Sequence, residues 1–314
     1  MEMKMNSIIK LLGNNIKNIV SKQSELIDME AVEIRLRVNS PVFIKFIKNE
    51  IFMDNNMRLS KKDIDETISI VTKNSIHAYE KEIRNGYITV EGGHRIGLGG
   101  DCIYEGNLFK GFKNITSLNI RIAREFPGCS KNFLKFFISS KQSIYNTLII
   151  GPPMSGKTTF IRDVAANLSD GFSNPHFEGC DISIIDERGE ISSVFGGVPQ
   201  MYVGKRSDVL SYCMKREGFF MSIRSLSPKA IISDELGSMD DFETVQYALK
   251  SGVNIITTAH GFSLDDVKKN IYMKSILENN FFDRAVILKS YDKPTAVKEI
   301  YDLQRNKVIY SDVG

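Results

Sequence analysis

The sequence predicts an α/β protein whose C-terminal part forms a mainly parallel sheet, preceded by a smaller α+β domain. From residue 147 onward, short apolar segments alternate with helical stretches, a pattern typical of a parallel sheet covered on both faces. Before residue 125, two helical patterns and several strands of alternating polarity indicate a separate mixed domain. We therefore predict an N-terminal domain over 1–125, a linker with a helix over 126–142 and the larger domain over 143–314.

The N-terminal elements are predicted from the spacing of apolar residues. Residues 6–28 and 60–84 have helical spacing, and Ser60 can cap the second helix. The glycine-rich run 92–100 could be a second phosphate loop, but it lacks a Lys-Ser/Thr ending and no helical pattern follows it. A hairpin in a small sheet is the better interpretation. Strands are predicted at 33–38, 42–44, 87–90 and 118–123.

The larger domain is predicted to begin after a helix at 131–139. A parallel sheet places ligands at the carboxyl ends of its strands, so the residues that follow each strand are candidates for function. The predicted strands are 147–150, 182–185, 230–233, 253–258 and 285–288.

Composition argues against a nucleic-acid-binding, membrane-spanning, secreted or zinc-binding protein. With 314 residues and a net charge of +3, the chain is too weakly basic to indicate a nucleic-acid partner. No apolar run reaches the roughly 18 residues of a membrane span, and the first residues do not have the pattern of a signal peptide. The four cysteines show no C-x-x-C spacing, which favours free thiols in a reducing, cytoplasmic compartment over a zinc site.

The segment after the first strand of the larger domain has the phosphate-binding loop pattern Gly151-x-x-x-x-Gly156-Lys157-Thr158. Glycines let the backbone curl its N–H groups toward a polyphosphate, and the next helix adds its positive N-terminus. Lys157 is expected to reach the β- and γ-phosphates, and the Thr158 hydroxyl is expected to hold Mg²⁺. The predicted nucleotide-binding residues are Gly151, Pro152, Pro153, Met154, Ser155, Gly156, Lys157, Thr158 and Thr159.

Two acid pairs compete to anchor the metal and to activate water. Asp234-Glu235 follows the strand at 230–233, and Asp186-Glu187 follows the strand at 182–185. We favour the first pair as the Walker B element, with Asp234 holding Mg²⁺ through water and Glu235 polarising the attacking water. Glu187 could share that second role from the neighbouring strand.

Basic residues complete the predicted site. His260 ends the next strand, where a polar group can sense the γ-phosphate. An arginine supplied by a neighbouring subunit can speed phosphoryl transfer about 10³–10⁵-fold. Arg121 and Arg124 are favoured for this role because they end the N-terminal domain. The other arginines considered are Arg206, Arg216 and Arg224.

Several longer strings resemble a known group of proteins. The run 224–237, followed by Glu243-Thr244 and by 257–261, resembles the segment of the type II/IV secretion ATPases that holds their Walker B glutamate and histidine box. The strings at 112–125 and 186–191 resemble the signatures of one branch, the stage III sporulation protein AA family. The resemblance covers nearly the whole chain from about residue 30.

The resemblance implies an ATP-hydrolysing motor subunit with a RecA-like P-loop core, using ATP and Mg²⁺ and working as a homohexamer. It also implies docking on membrane proteins of the stage III sporulation channel, on the mother-cell face of the inner membrane. The protein would then be cytoplasmic and peripheral to the membrane, with no nucleic acid expected. Lys229 departs from the pattern, because secretion ATPases usually carry an acid at this place.

Three alternatives stay open. A monomeric P-loop phosphotransferase would need an acceptor pocket and no ring. A nucleic-acid-dependent RecA-type ATPase would be stimulated by single strands with a steep salt dependence. A degenerate scaffold that never hydrolyses ATP is opposed by the intact Lys157, Thr158 and Asp234-Glu235. The residues alone do not decide whether Glu187 or Glu235 activates water.

Overall fold

The computed structural model describes residues 8–22, 31–46, 49–54, 56–290 and 294–312. The chain divides into two compact units. The first comprises Met1–Arg124 with Ser193–Gln200, and the second comprises Glu125–Ser192 with Met201–Gly314. The chain therefore crosses between the units three times, after Arg124, after Ser192 and after Gln200. Nothing in the sequence pattern indicated the return of 193–200 to the first unit.

The described residues of the first unit form an antiparallel sheet with helices on one face. The strands are β1 (Ala31–Arg37), β2 (Val42–Phe46), β3 (Glu50–Met53), β4 (Tyr87–Thr89), β5 (Arg95–Glu105) and β6 (Leu108–Arg121). The helices are α1 (Asn14–Ser21), α2 (Lys61–Val71) and α3 (Glu80–Arg84), with 3₁₀ turns at Ile76–Tyr79 and Glu91–Gly93. The strand order is β3-β2-β1-β6-β5-β4. Ile16 of α1 and Ile64 of α2 share one apolar core with Ile34 and Ile120 of the sheet.

Some predicted elements of this unit differ in the structure. Of the helix predicted at 6–28, the structure shows α1, while residues 6–7 and 23–28 lie outside the described residues. The single helix predicted at 60–84 is wrong, because Lys73 and Asn74 take positive φ angles of 50° and 60° and separate α2 from α3. The predicted hairpin is confirmed: the glycine-rich run enters β5, which pairs with β6 along its length.

The second unit is built of strands and helices in alternation. Its strands are β7 (Ile138–Ser140), β8 (Ser143–Ile144), β9 (Thr147–Gly151), β10 (Phe172–Ser173), β11 (His176–Phe177), β12 (Ile182–Asp186), β13 (Ser207–Ser211), β14 (Ala230–Glu235), β15 (Asn254–His260), β16 (Arg284–Leu288), β17 (Val297–Asp302) and β18 (Lys307–Ser311). Its helices are α4 (Lys157–Asp170), α5 (Lys215–Met221), α6 (Met239–Lys250), α7 (Leu264–Val267) and α8 (Ile271–Glu278), with a 3₁₀ helix at Lys131–Phe136 and a π-helical turn at Ser222–Leu226.

One large sheet dominates this unit, in the order β13-β12-β14-β15-β9-β16-β17-β18. Neighbouring strands are parallel from β13 to β16, and the last two strands are antiparallel. This arrangement confirms the predicted α/β class, and all five predicted strands are present. The helix predicted at 131–139 is wrong, since a 3₁₀ helix ends at Phe136 and β7 follows.

Helices cover both faces of the large sheet. On one face, Phe160 and Val164 of α4 pack against Ile149 of β9. On the other face, α5, α6 and α8 pack around Leu148 and Ile150 of the same strand. Because successive strand side chains point to opposite faces, an unbroken apolar strand contributes to both cores. β9 is therefore packed on both faces, and the phosphate loop starts at its end.

Candidate active site

The phosphate loop connects β9 to α4, and glycines determine its shape. Gly156, directly before α4, has the left-handed conformation with φ of 85°. A Cβ atom at Gly151 would lie 2.3 Å from Ser155 Oγ, and one at Gly156 would lie 2.7 Å from the methyl carbon of Thr295. The N–H of Thr295 also donates to the Ser155 carbonyl oxygen at 2.7 Å. A side chain at either glycine would force this tight loop apart.

Lys157 is the cation of the loop. Its Nζ donates to the carbonyl oxygens of Gly151 at 2.7 Å and Pro152 at 3.2 Å. Burial lowers the pKa of Lys157, and the charges of Glu235 and Glu190 oppose that shift. An anionic phosphate would be a stronger partner than neutral carbonyl groups at this position. Glu190 was not among the predicted site residues, and its only mark in the sequence is its place in the 186–191 string.

Strand register brings the predicted residues to one edge of the sheet. His260 of β15 pairs with Gly151 of β9, and Thr258 of β15 pairs with Glu235 of β14. The neighbouring strand β12 runs parallel to β14. The carboxyl ends of these four strands therefore share an edge. Both acid pairs and His260 lie at the same edge as the phosphate loop.

The two carboxylate oxygens of Asp234 are buried. Neither of its oxygens has a hydrogen bond of good geometry among the described residues. Burial, together with the charges of Glu187 and Asp186, raises the pKa of Asp234 to about 6, although Lys215 and the N–H of Arg188 act in the opposite direction. A buried carboxylate in this state gains from a cation that replaces its lost hydration. Asp234 and the Thr158 hydroxyl at the start of α4 therefore fit Mg²⁺, which prefers such oxygen ligands.

Asp186 has a different role. It is fully buried, and its carboxylate accepts the backbone N–H groups of Glu190 at 2.7 Å, Ile191 at 3.0 Å and Ser192 at 2.8 Å. The Ser192 hydroxyl donates a fourth hydrogen bond at 2.5 Å. Because both oxygens are occupied, Asp186 organises the turn at 187–192. The first member of the second acid pair is thus a structural residue.

Glu187 and Glu235 face the same space. Both line a cavity of about 450 Å³ at the carboxyl edge of the sheet. A water molecule in this cavity could be reached by either carboxylate, so the geometry supports both residues as candidates for activating it. The other charged residues of the lining are Arg188, Lys215, Arg216, Glu217, Asp240 and Asp241.

Lys215 is a buried cation that sequence reasoning missed. Its Nζ donates to the Glu235 carbonyl oxygen and, at 3.1 Å, to the Asp241 carboxylate. The two side chains of this ion pair are only 11% and 5% exposed. Burial acts to raise the pKa of Asp241, but Lys215 and two backbone N–H groups lower it overall. Lys215 is the first residue of α5 and belongs to no recognisable motif. The sequence therefore did not predict its contacts with Glu235 and Asp241.

The remaining predicted basic residues have different surroundings. His260 is exposed at the end of β15, with its ring centroid 6.4 Å from that of Phe262. Arg124 belongs to the first unit and donates to the Ala31 carbonyl oxygen through Nε at 3.1 Å and Nη2 at 2.7 Å. Arg121, in the same unit, is 71% exposed and lies 4.0 Å from the Glu33 carboxylate. The Arg121 guanidinium is thus mostly in solvent.

The three other candidate arginines each have a contact within the second unit. Arg206 donates to the carbonyl oxygen of Glu178 at 2.9 Å. Arg216 lines the cavity and lies 3.9 Å from the Glu243 carboxylate. Arg224 lies 5.8 Å from the centre of the Phe220 ring. Of these, Arg216 alone is among the residues that line the cavity.

Sequence comparison with known proteins identifies a family. A family model described as sporulation stage III, protein AA, matches residues 2–308. Stage III sporulation protein AA of Bacillus subtilis (strain 168) is 38% identical over 302 residues, which cover 96% of this chain and 96% of that protein. The uncharacterized protein ycf45 of Cyanidium caldarium is 30% identical over 240 residues, which cover 72% of this chain and 65% of that protein.

Structural comparison identifies a fold. The ATPase DotB of Legionella pneumophila superposes with a TM-score of 0.62 at 12% identity, covering 92% of this chain and 81% of that one. The pilus retraction motor PilT with bound ADP superposes with a TM-score of 0.58 at 17% identity, covering 86% of this chain and 77% of that one. At such identities the likeness concerns the fold. It confirms the predicted P-loop core preceded by an N-terminal domain.

Proposed function

The chain belongs to the sporulation stage III, protein AA family, and from that premise we propose that it is a Mg²⁺-dependent ATPase that drives a secretion-like complex during sporulation. One observation carries the proposal. The phosphate loop shares a sheet edge with Asp234, whose buried carboxylate has no partner of good geometry among the described residues. Phosphoryl transfer needs a group that binds the phosphates and a carboxylate that holds their metal ion. The loop and Asp234 would supply these two functions.

Binding would begin at the loop. The backbone N–H groups of residues 154–159, which include the N-terminus of α4, would hold the triphosphate. Lys157 would leave the carbonyl oxygens of Gly151 and Pro152 and donate to the β- and γ-phosphates. Thr158 and Asp234 would hold Mg²⁺, which neutralises charge on the phosphate oxygens when it is bound.

Hydrolysis would take place next to the cavity. Glu235 is proposed to orient and polarise the attacking water, and Glu187, which lines the same cavity, is the alternative. His260, paired with Gly151 in the sheet, is proposed to contact the γ-phosphate. Lys215 would hold the backbone of Glu235 in place through its carbonyl oxygen.

The proposed assembly is a ring of six identical subunits. A homohexamer would let Arg121 or Arg124 of one subunit approach the nucleotide of its neighbour, and ATP turnover would then change the angles between subunits. The functional division would be residues 1–125, a linker at 126–142 and an ATPase domain at 143–314. The protein would be cytoplasmic and peripheral, docked on channel proteins at the mother-cell face of the inner membrane. In the part of the chain that the structure describes, every helix is too short or too polar to span a bilayer.

The test is steady-state ATP hydrolysis by the purified protein with Mg²⁺. Lys157→Ala is expected to lower turnover at least about 100-fold, because charge-assisted contacts to the phosphates are lost. Lys229→Ala is the matched control, since Lys229 is an exposed lysine that precedes β14 at the opposite edge of the sheet. Turnover by Lys157→Ala equal to that of the control would remove the phosphate-loop assignment.

The ring proposal is tested separately by measuring activity per subunit against protein concentration. We expect it to rise through the range in which the protein assembles, because the arginine comes from a second subunit. Activity per subunit that stays constant would favour a site complete in one chain, as in the phosphotransferase alternative.

A further inference from the structure

We propose that Arg162 and Asp163 are positioning residues that couple the phosphate loop to the three places where the chain crosses between its two units. Both residues lie on α4, the helix that begins with Lys157 and Thr158. Both are almost fully buried. This inference rests on the proposed function, because it takes the nucleotide at the N-terminus of α4 as its starting point.

Asp163 holds the first crossing. After the chain enters the second unit at Glu125, the Gly128 N–H donates to Asp163 Oδ1 at 2.7 Å. The N–H and hydroxyl of Ser130 donate to Oδ2 at 2.8 Å and 2.6 Å. Hydrogen bonds to a buried carboxylate are short and strong, so they resist stretching. A displacement of α4 would therefore carry residues 128–130 with it.

Arg162 holds the second crossing. Its Nη2 donates to the Glu190 carbonyl oxygen at 2.7 Å, and its Nε donates to the Ile191 carbonyl oxygen. The N–H groups of the same residues are bound by Asp186. Arg162 thus binds the carbonyl oxygens of Glu190 and Ile191, and Asp186 binds their N–H groups. These residues lie immediately before the chain leaves the second unit after Ser192. Glu190 is also one of the two carboxylates whose charge acts on Lys157.

The third crossing is tied to the other two and to the end of α4. Where the chain returns, the Met201 N–H donates to the Ser192 carbonyl oxygen at 3.1 Å. The Tyr202 N–H donates to the Glu125 carboxylate at 2.6 Å. The Tyr202 hydroxyl donates at 2.7 Å to Asp170, the last residue of α4. All three crossings are therefore linked to one helix by hydrogen bonds.

The segment between the second and third crossings is bound within the first unit. The Gly92 N–H donates to the Gln200 side-chain oxygen at 2.8 Å, and Lys73 Nζ lies 5.8 Å from the centre of the Phe195 ring. Residues 193–200 thus follow directly in the chain after Glu190 and Ile191, which α4 binds, and they themselves contact residues of the first unit. Nucleotide binding at α4 would be transmitted along this covalent and hydrogen-bonded route, a physically continuous network.

Hydrogen exchange on the intact protein, with and without Mg²⁺ and a nonhydrolysable ATP analogue, tests the coupling. In the wild type we expect the analogue to slow exchange in peptides that cover 126–130, 190–192 and 193–205. Asp163→Asn is expected to lose this protection at 126–130, and Arg162→Gln at 190–200. Both variants should bind a fluorescent ATP analogue within about threefold of wild type, since neither residue touches the phosphate loop.

Asp283→Asn is the matched control. Asp283 also binds a backbone N–H through its carboxylate, that of Asn146 at 2.9 Å, but at the amino end of β9. This variant should keep both binding and protection. If Arg162→Gln does not fold, Arg162→Lys retains the charge while losing the forked donor geometry, and it should show partial loss at 190–200.

Three outcomes are distinct. Variants that bind the analogue and keep wild-type protection at the crossing segments overturn the coupling. Wild-type protein that binds the analogue with protection confined to the phosphate loop and α4 also overturns it, while the ATPase proposal survives. Wild-type protein that binds no analogue at all overturns the proposed function and this inference together.

Discussion

Asp186-Glu187 and Asp234-Glu235 place the same two side chains at the ends of neighbouring parallel strands, yet the two aspartates have opposite surroundings. Asp186 accepts four hydrogen bonds from residues 190–192. The two carboxylate oxygens of Asp234 are buried and have no hydrogen-bond partner of good geometry among the described residues. A protein does not leave a buried carboxylate unpartnered without a cost in free energy. The comparison shows that the bonding of an acid is not fixed by its position at the end of a strand.

The second residues of the two pairs offer the largest expected effect. Glu235→Gln should lower kcat about 10³–10⁴-fold, because the amide cannot polarise the attacking water, while ATP binding is retained. Glu187→Gln should have a smaller effect on kcat. Single-turnover hydrolysis and binding of a fluorescent ATP analogue measure the two steps. The reverse order of effects would transfer the water-activating role to Glu187.

Stability should separate the first residues of the pairs. Asp186→Ala should lower the free energy of unfolding by about 4 kcal/mol, because it leaves buried N–H groups of the 187–192 turn without an acceptor. Asp234→Ala should leave it unchanged or raise it near neutral pH, since no hydrogen bond of good geometry is lost and a buried charge is removed. Urea unfolding of both variants without nucleotide provides the measurement. Equal losses of stability would show that Asp186 and Asp234 contribute alike to the free energy of unfolding.

The pH dependence of stability should also distinguish Asp234. Burial raises the pKa of Asp234 from its ordinary value of 3.8 to about 6. Between these values the unfolded chain has released this proton and the folded protein retains it. Wild-type stability contributed by this group is therefore present below about pH 4 and is lost as pH rises through about 6, by up to roughly 3 kcal/mol.

Asp234→Asn removes this titration. Without Mg²⁺ and nucleotide, its stability advantage over the wild type should grow from about pH 4 to about pH 6 and then stay constant. Urea unfolding at several pH values in this range measures the difference between the two proteins. A difference that does not change with pH would mean that the folded and unfolded states titrate alike at this residue.

Much of the fold was predictable because its determinants are local. The five apolar strands, the loop from Gly151 to Thr158 and the acid pairs after two of those strands all follow from residues that are neighbours in the sequence. The error in the predicted helix at 60–84 also has a local cause. The helix predicted at 60–84 breaks where Lys73 and Asn74 adopt left-handed backbone angles, which apolar spacing does not encode.

Contacts between distant residues were not predictable. Lys215 reaches Asp241 and the Glu235 carbonyl oxygen from the start of another helix. Arg162 and Asp163 grip segments that lie far from them in the chain, and residues 193–200 leave one unit to join the other. No pattern of polarity or spacing marks a residue whose partner is brought to it by folding.

The sequence alone indicates a phosphate loop on a buried parallel sheet, with two acid pairs at the same sheet edge. These features depend on periodicity and on backbone requirements at glycine, which short stretches of sequence specify completely. Folding determines that Asp186 accepts four hydrogen bonds and that the Asp234 carboxylate has none of good geometry among the described residues. The reason is that the state of a buried carboxylate depends on the donors that surround it, and those donors arrive only when the chain folds.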